Sequence, residues 1–346
     1  MLGLMRAIVE DLCSDACAGR ETGTDGGRRA RSIVVDALRS AGLDPITQDL
    51  PDIRGANVLA TLPGDTDRWV MIAAHYDHLG TRNGHVFRGA DDNAASVAVL
   101  VEAASRLVAH RPEGRGVIFA AFDAEEPPYF ATGQMGSQHF VRHPLVSLER
   151  LDMMICLELI GHTIGGGVLP DTVGNALFVL GGERSEGTPA MLDALSTCTP
   201  GVITHRADAE IIPPLSDHLA FWEREVPFML LSGGRPRTYH QPSDTPDTLS
   251  YPRMDAVASW VERCVRDQCA RSDGPVRFRR EARDDASSLR AFLAVTASLR
   301  EVSTQAAQGH AMAQELLRSC DSTGRLPPGL ASRPAMLIAL LEEALA

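Results

Sequence analysis

Short apolar runs rich in branched side chains recur along this 346-residue chain, at Ala56–Leu62, Trp69–His75, Gly116–Phe122 and Met153–Ile160. Each has the length of a buried strand and is too short for a buried helix. Ala176–Leu180 and Pro227–Leu231 read the same way. Between them lie helical patterns. Thr24 and Asp25 can cap a helix through Arg28–Ser40, ended by Gly42, and in Asn93–Ala109 the residues Val97, Leu100, Val101, Ala104 and Leu107 share one face. Ser216–Glu225 and Arg253–Cys269 read as further helices. Strands alternating with helices predict an α/β fold with helices on both faces of a sheet. Ligands in such sheets gather at the carboxyl ends of strands, so the residues where the apolar runs stop come first for function.

Composition removes several classes of function. All 33 basic residues are arginine, which excludes Schiff-base lysines and lysine-dependent phosphate loops. Against 45 acidic residues the formal net charge is −12, a poor balance for binding nucleic acid. No apolar stretch has the length of a membrane span, and Glu10 and Asp11 interrupt the first helix where a secretory leader would be apolar. Seven cysteines, odd in number and scattered, do not form a disulfide framework or a zinc ribbon. A reduced, cytoplasmic setting with no membrane partner is the expectation.

Beyond about residue 272 the strand signal ends. Leu289, Phe292, Leu293, Leu299 and Val302 mark one helical stripe, and Met336, Leu337, Leu340 and Leu341 another. We expect one catalytic domain over residues 1–271 and a helical C-terminal extension over 272–346, whose apolar stripes offer a surface for homodimerisation.

Five polar segments could carry chemistry. His75-Tyr76-Asp77 closes a strand, and a carboxylate two residues beyond a histidine can orient its ring against a metal; it can also simply be solvated. His78 reads as a loop residue. Asp91-Asp92-Asn93 opens a helix, where acids are ordinarily caps. Glu125-Glu126 follows another strand; neighbouring carboxylates repel unless a cation or a proton divides their roles. Glu158, inside an apolar run, needs a buried partner, either a cation or an arginine. Ser216-Asp217-His218 and Tyr239-His240 complete the set. Together these histidines and carboxylates suit a pair of divalent ions, zinc foremost.

In order and wording these motifs, with Ala18-Gly19-Arg20-Glu21-Thr22-Gly23-Thr24 before them, resemble the M28 family of zinc-dependent aminopeptidases and its glutaminyl cyclase relatives, over roughly residues 1–270. The resemblance implies a mixed, twisted sheet sandwiched by helices. It implies that Asp92 bridges two metals, that His75 and Glu158 complete one ligand set, and that Glu126 and His240 complete the other. Glu125 would be the general base, Asp77 would orient His75, and Asp217 would lie near the base and bond to it. Glu158 stands where the family often has Asp. Pro127–Met135 is an insertion beside Glu126, so Tyr129 and Phe130 are candidates for the substrate pocket or for packing beneath the loop; Tyr239 is a further candidate.

The function implied is removal of an N-terminal residue from a small peptide or aminoacyl substrate. Three rivals stand beside it: a single-zinc glutaminyl cyclase, a carboxypeptidase-like relative using Arg88, Arg235 or Arg237, and a binding homologue without catalysis.

Overall fold

The central strands lie side by side with their carboxyl ends at one edge, which is what assembles the candidate residues. The computed structural model describes residues 2–345 apart from 197, 198, 273 and 302, so Cys198 and Val302 lie outside it. The strands are β1 (Ile46–Leu50), β2 (Gly55–Leu62), β3 (Trp69–His75), β4 (Thr81–Arg82), β5 (His85–Val86), β6 (Gly116–Phe122), β7 (Leu151–Glu158), β8 (Ala176–Leu180), β9 (Ile203–Ala207) and β10 (Phe228–Ser232). The helices are α1 (Leu2–Leu12), α2 (Asp25–Ser40), α3 (Ala95–Ala109), α4 (Gly136–Arg142), α5 (Asp171–Gly174), α6 (Thr188–Ser196), α7 (His218–Trp222), α8 (Tyr251–Cys269), α9 (Asp285–Leu299), α10 (Thr304–Arg318) and α11 (Arg333–Leu345).

Eight strands form one mixed sheet in the order β1-β2-β6-β3-β7-β10-β8-β9, while β4 and β5 make a small hairpin. β6, β3, β7 and β10 run parallel; β2 is antiparallel to β6, and β8 to β10. The four parallel strands are covered on both faces, which explains their unbroken apolar sequences. One face packs on α1, α2, α3 and α8 in the largest core cluster, with Val34, Val97, Leu100, Trp260 and Val261 fully buried. The other packs on α4 and α7 through Phe122, Phe140 and Phe221. No described helix is long and apolar enough to cross a membrane. Every described cysteine is a free thiol.

The expected elements are present, with shifted ends that have local causes. Thr24 caps α2 by accepting from the Gly27 amide at 3.1 Å. α3 begins at Ala95, not Asn93, because Asp92 and Asn93 take non-helical backbone angles. β7 stops at Glu158, not Ile160, since Leu159 turns the chain with a φ of +51°. α7 spans only His218–Trp222. The unanticipated β1 and β9 are polar edge strands, Ile-Thr-Gln-Asp-Leu and Ile-Thr-His-Arg-Ala, whose outer sides lack the apolar signal.

The C-terminal helices pack onto the sheet. α9 lies against β9, α10 and α11 pack on α9, and Leu289, Phe292, Ala313, Leu316 and Leu337 form their shared core. Ala335 and Ile338 of α11 join the sheet-side core near Phe178. α11 turns Leu337, Ile338 and Leu341 inward, so the expected stripe is split, with Met336 and Leu340 left about half exposed.

Candidate metal centre

Strand ends and the loops after them bring the donors together. His75 ends β3, Glu125 and Glu126 follow β6, Glu158 ends β7, Asp92 precedes α3, and His240 comes from the loop between β10 and α8. Asp92 occupies the middle. Its Oδ1 lies 3.3 Å from His75 Nε2, and its Oδ2 lies 3.1 Å from His240 Nε2. On the first side Glu158 Oε1 is 3.4 Å from His75 Nε2; on the second, Glu126 Oε2 is 3.1 Å from His240 Nε2. Around zinc with bonds of 2.0–2.1 Å, tetrahedral donors stand about 3.3–3.4 Å apart. The His75 distances match that spacing and the two His240 distances are slightly shorter; His75, Asp92 and Glu158 form one group that could hold a cation, and Asp92 and Glu126 contribute to a second, which also has His78 within reach.

The electrostatics agree with that fit. His75, Asp92, Glu125, Glu126 and Glu158 are buried or nearly so. The neighbouring buried guanidinium of Arg20 is bonded to the carbonyls of Tyr76, Gly89 and Asp92, and that of Arg253 to Ala176, so neither is directed at these carboxylates. Imidazoles supply the compensation instead. Burial opposes charging His240, yet Asp92 and Glu126 push it up to about 10, and His75 is likewise raised against its burial by Glu158 and Glu125. Glu125 is held well above the usual carboxylate range, by burial most of all; His75 opposes the rise, while Glu158, Glu126 and Asp217 add to it. Cations at the site would invert this balance and ionise the carboxylates.

A second ring of bonds fixes the donors. Asp77 accepts from the amides of Glu125 and Glu126, each at 3.1 Å, and its Oδ1 stands 3.6 Å from His75 Nδ1. It therefore anchors the glutamate loop at least as firmly as the imidazole. Ser216 Oγ donates to Glu158 Oε2 at 2.6 Å. Asp244 accepts from the amides of Asp91 and Asp92, shaping the turn into α3. Asp91 is no metal ligand here: it takes the amides of Gly161 and His162 and the His162 ring, tying this turn to the end of β7.

His78, expected as an ordinary loop residue, is fully buried, with Nδ1 2.7 Å from Glu126 Oε1. It orients a donor, a role whose only trace in the sequence is its position three residues beyond His75. Gly89 is needed beside it: φ is +56°, and a β-carbon there would meet the His78 ring at 2.5 Å. Asp217 is buried near Glu125, but the expected bond between them is not made, and burial pushes its carboxyl up to about 7. Tyr239 stacks on the His240 ring at 3.9 Å and borders the cavity at the centre. Tyr129 packs instead against Leu50, Ile53 and Ala124, and neither it nor Phe130 borders that cavity. Met135 is fully buried. Of the arginines weighed for a substrate carboxylate, Arg88 pairs with Asp15, while Arg235 and Arg237 border the cavity.

A mixed sheet carrying a histidine–carboxylate cluster at the ends of its parallel strands defines a metallohydrolase type of centre. Residues 57–265 match the sequence model of peptidase family M28, and the chain belongs to that family. Among its relatives is the uncharacterized protein YfbL of Escherichia coli, 29% identical over 261 residues, which are 68% of this chain and 79% of that one. The fold is shared with the LapA aminopeptidase of Legionella pneumophila (TM-score 0.64, 15% identity, 78% of this chain and 72% of that one). It is shared equally with the glutaminyl cyclase of Porphyromonas gingivalis (TM-score 0.61, 20% identity, 78% and 98%).

Proposed function

We propose that this protein is a two-metal aminopeptidase, most naturally with zinc, that hydrolyses the N-terminal residue from small peptides or aminoacyl compounds. One observation carries the reading: the two oxygens of Asp92 each face a separate histidine–glutamate pair, so a single carboxylate serves two complete donor sets. A cyclase with one zinc needs only one such set.

His75, Asp92 and Glu158 would hold one ion, and Asp92, Glu126 and His240 the other. Divalent ions bound there would acidify water and stabilise negative charge on a carbonyl oxygen. Glu125, whose Oε2 is 3.7 Å from His75 Nε2, stands beside the first set and would act on the water as the base. It takes the proton as the water attacks and passes it to the leaving amine. Asp77 holds the Glu125 and Glu126 amides so that base and ligand keep fixed relative positions. The carboxylates also favour a protonated substrate amine over a substrate carboxylate, which argues against the carboxypeptidase-like rival.

The test combines elemental analysis with mass spectrometry of three peptides: free, N-acetylated, and bearing N-terminal Gln. Two metal equivalents and loss of one residue from the free peptide alone are expected. Loss of ammonia from the Gln peptide without hydrolysis would replace the proposal by the cyclase. Cleavage indifferent to acetylation but dependent on a free carboxyl end would overturn it in favour of a carboxypeptidase.

A further inference from the structure

The carboxylates occupy a small part of the cavity they border. Asp92, Glu125 and Glu158 line a space of about 1200 Å³ whose other walls come from distant parts of the chain. The sheet side contributes Phe178, Leu180 and Ile211; the C-terminal helices contribute Phe292, Val295 and Ile338. Sites for small molecules enclose about 300–1,000 Å³, and an apolar cavity of about 150 Å³ already accommodates benzene. One amino-acid side chain would leave most of this volume unfilled.

The walls narrow the choice of occupant. β8 is hydrogen-bonded to a strand on each side, and α9 and α11 satisfy their own backbones, so apart from Ser288 of α9 the far walls present side-chain carbon. Polar lining groups such as Ser216, Arg237 and Tyr239 come from the segments flanking the donors. A peptide laid along the apolar walls would bury amide groups without partners, which is costly. An alkyl chain has no such groups and gains from leaving water.

We infer that the substrate of this centre is an amide carrying a long aliphatic chain, with the chain lying between β8 and the C-terminal helices α9 and α11. The inference rests on the aminopeptidase reading above, so the chain lies on the amine side of the scissile bond.

Two measurements on the full chain separate the inference from the reading beneath it. The first is binding of the fluorescent fatty acid cis-parinaric acid to wild type, to Ala335→Trp, which fills the cavity from α11, and to Ile338→Glu, which charges its wall; melting curves certify that each variant folds. Saturable binding weakened at least tenfold in a folded variant is expected. Absence of saturable binding, or binding indifferent to both folded variants, would overturn the inference. The second is hydrolysis by wild type, below micellar concentrations, of leucine ethylamide, octylamide and tetradecylamide. This series should gain about fourfold in kcat/KM per buried methylene. Turnover independent of chain length would also overturn the inference. If every amide is inert while the probe binds and the variants release it, the hydrolase reading fails and the chain site stands.

Discussion

Acid gathers beneath the C-terminal helices and again at the strand ends, and the two groups are neutralised differently. Beneath the C-terminal helices, the buried Asp208 and Asp285 and the half-buried Asp284 meet arginines: Arg283 Nε is 3.0 Å from Asp208 and its Nη2 3.1 Å from Asp285, while Arg206 Nη1 is 2.8 Å from Asp284. At the strand ends, Asp92, Glu126 and Glu158 meet imidazoles. A guanidinium is permanently charged and fills the place of a counter-ion for good. An imidazole can give up its proton and become a ligand itself. The first arrangement fastens the tail to the sheet; the second leaves carboxylates that an exchangeable cation satisfies better than the protein does.

The comparison can be broken at the strand ends first. Asp92→Ala removes the one donor common to both sets, and turnover should fall to background with both ions lost by elemental analysis; exhaustive chelation of wild type should do the same, reversibly. Retention of both ions would show that the Asp92 oxygens are not the bridge. Glu125→Gln should cost about 10²–10⁴ in kcat with the metal content unchanged, because the base is not a ligand; a near-normal rate would remove it from that role.

Under the tail the same kind of deletion should spare the chemistry. Arg283→Met leaves Asp208 and Asp285 without their cation and should lower stability by about 2–3 kcal/mol in chemical denaturation, with metal content intact. Loss of metal in the folded variant would mean that the two acidic regions are coupled.

The smallest effect is a pH dependence. Burial first, then Asp208, pushes Glu183 up to about 8, so it is protonated in the fold near neutrality. Its unfolded value is near 4.3. The unfolded chain therefore releases this proton first; the stabilising contribution is complete below the unfolded value and is lost as pH rises through about 8. Glu183→Gln should flatten that decline and be more stable than wild type above pH 8 by about 1–3 kcal/mol, as followed by thermal melts across pH. Identical pH slopes for the two proteins would show that Glu183 ionises freely in the fold.

Much of this arrangement is legible in the residues. β3 and β6 are apolar from end to end because both faces are covered, and each of these runs stops where a donor begins, at His75 and before Glu125. The edge strands β1 and β9 are not legible, since one exposed border lets polar residues in and erases the pattern. His78 and Asp91 are not legible either. Each sits beside a metal-ligand candidate in sequence, and only the three-dimensional path shows that one grips Glu126 while the other grips the turn at Gly161 and His162.

The sequence by itself determined the strand–helix alternation, the donor types and the family, because these depend on side-chain chemistry and on spacing along one chain. The tertiary structure alone decided that the two oxygens of Asp92 face different partners and that Tyr129 packs beneath its loop. It alone decided, too, that the C-terminal helices α9 and α11, remote in the chain from most of the donors, wall the same cavity. Those facts depend on distances between segments remote in the chain, which local propensity does not encode and which packing and burial fix only once the whole sheet has closed.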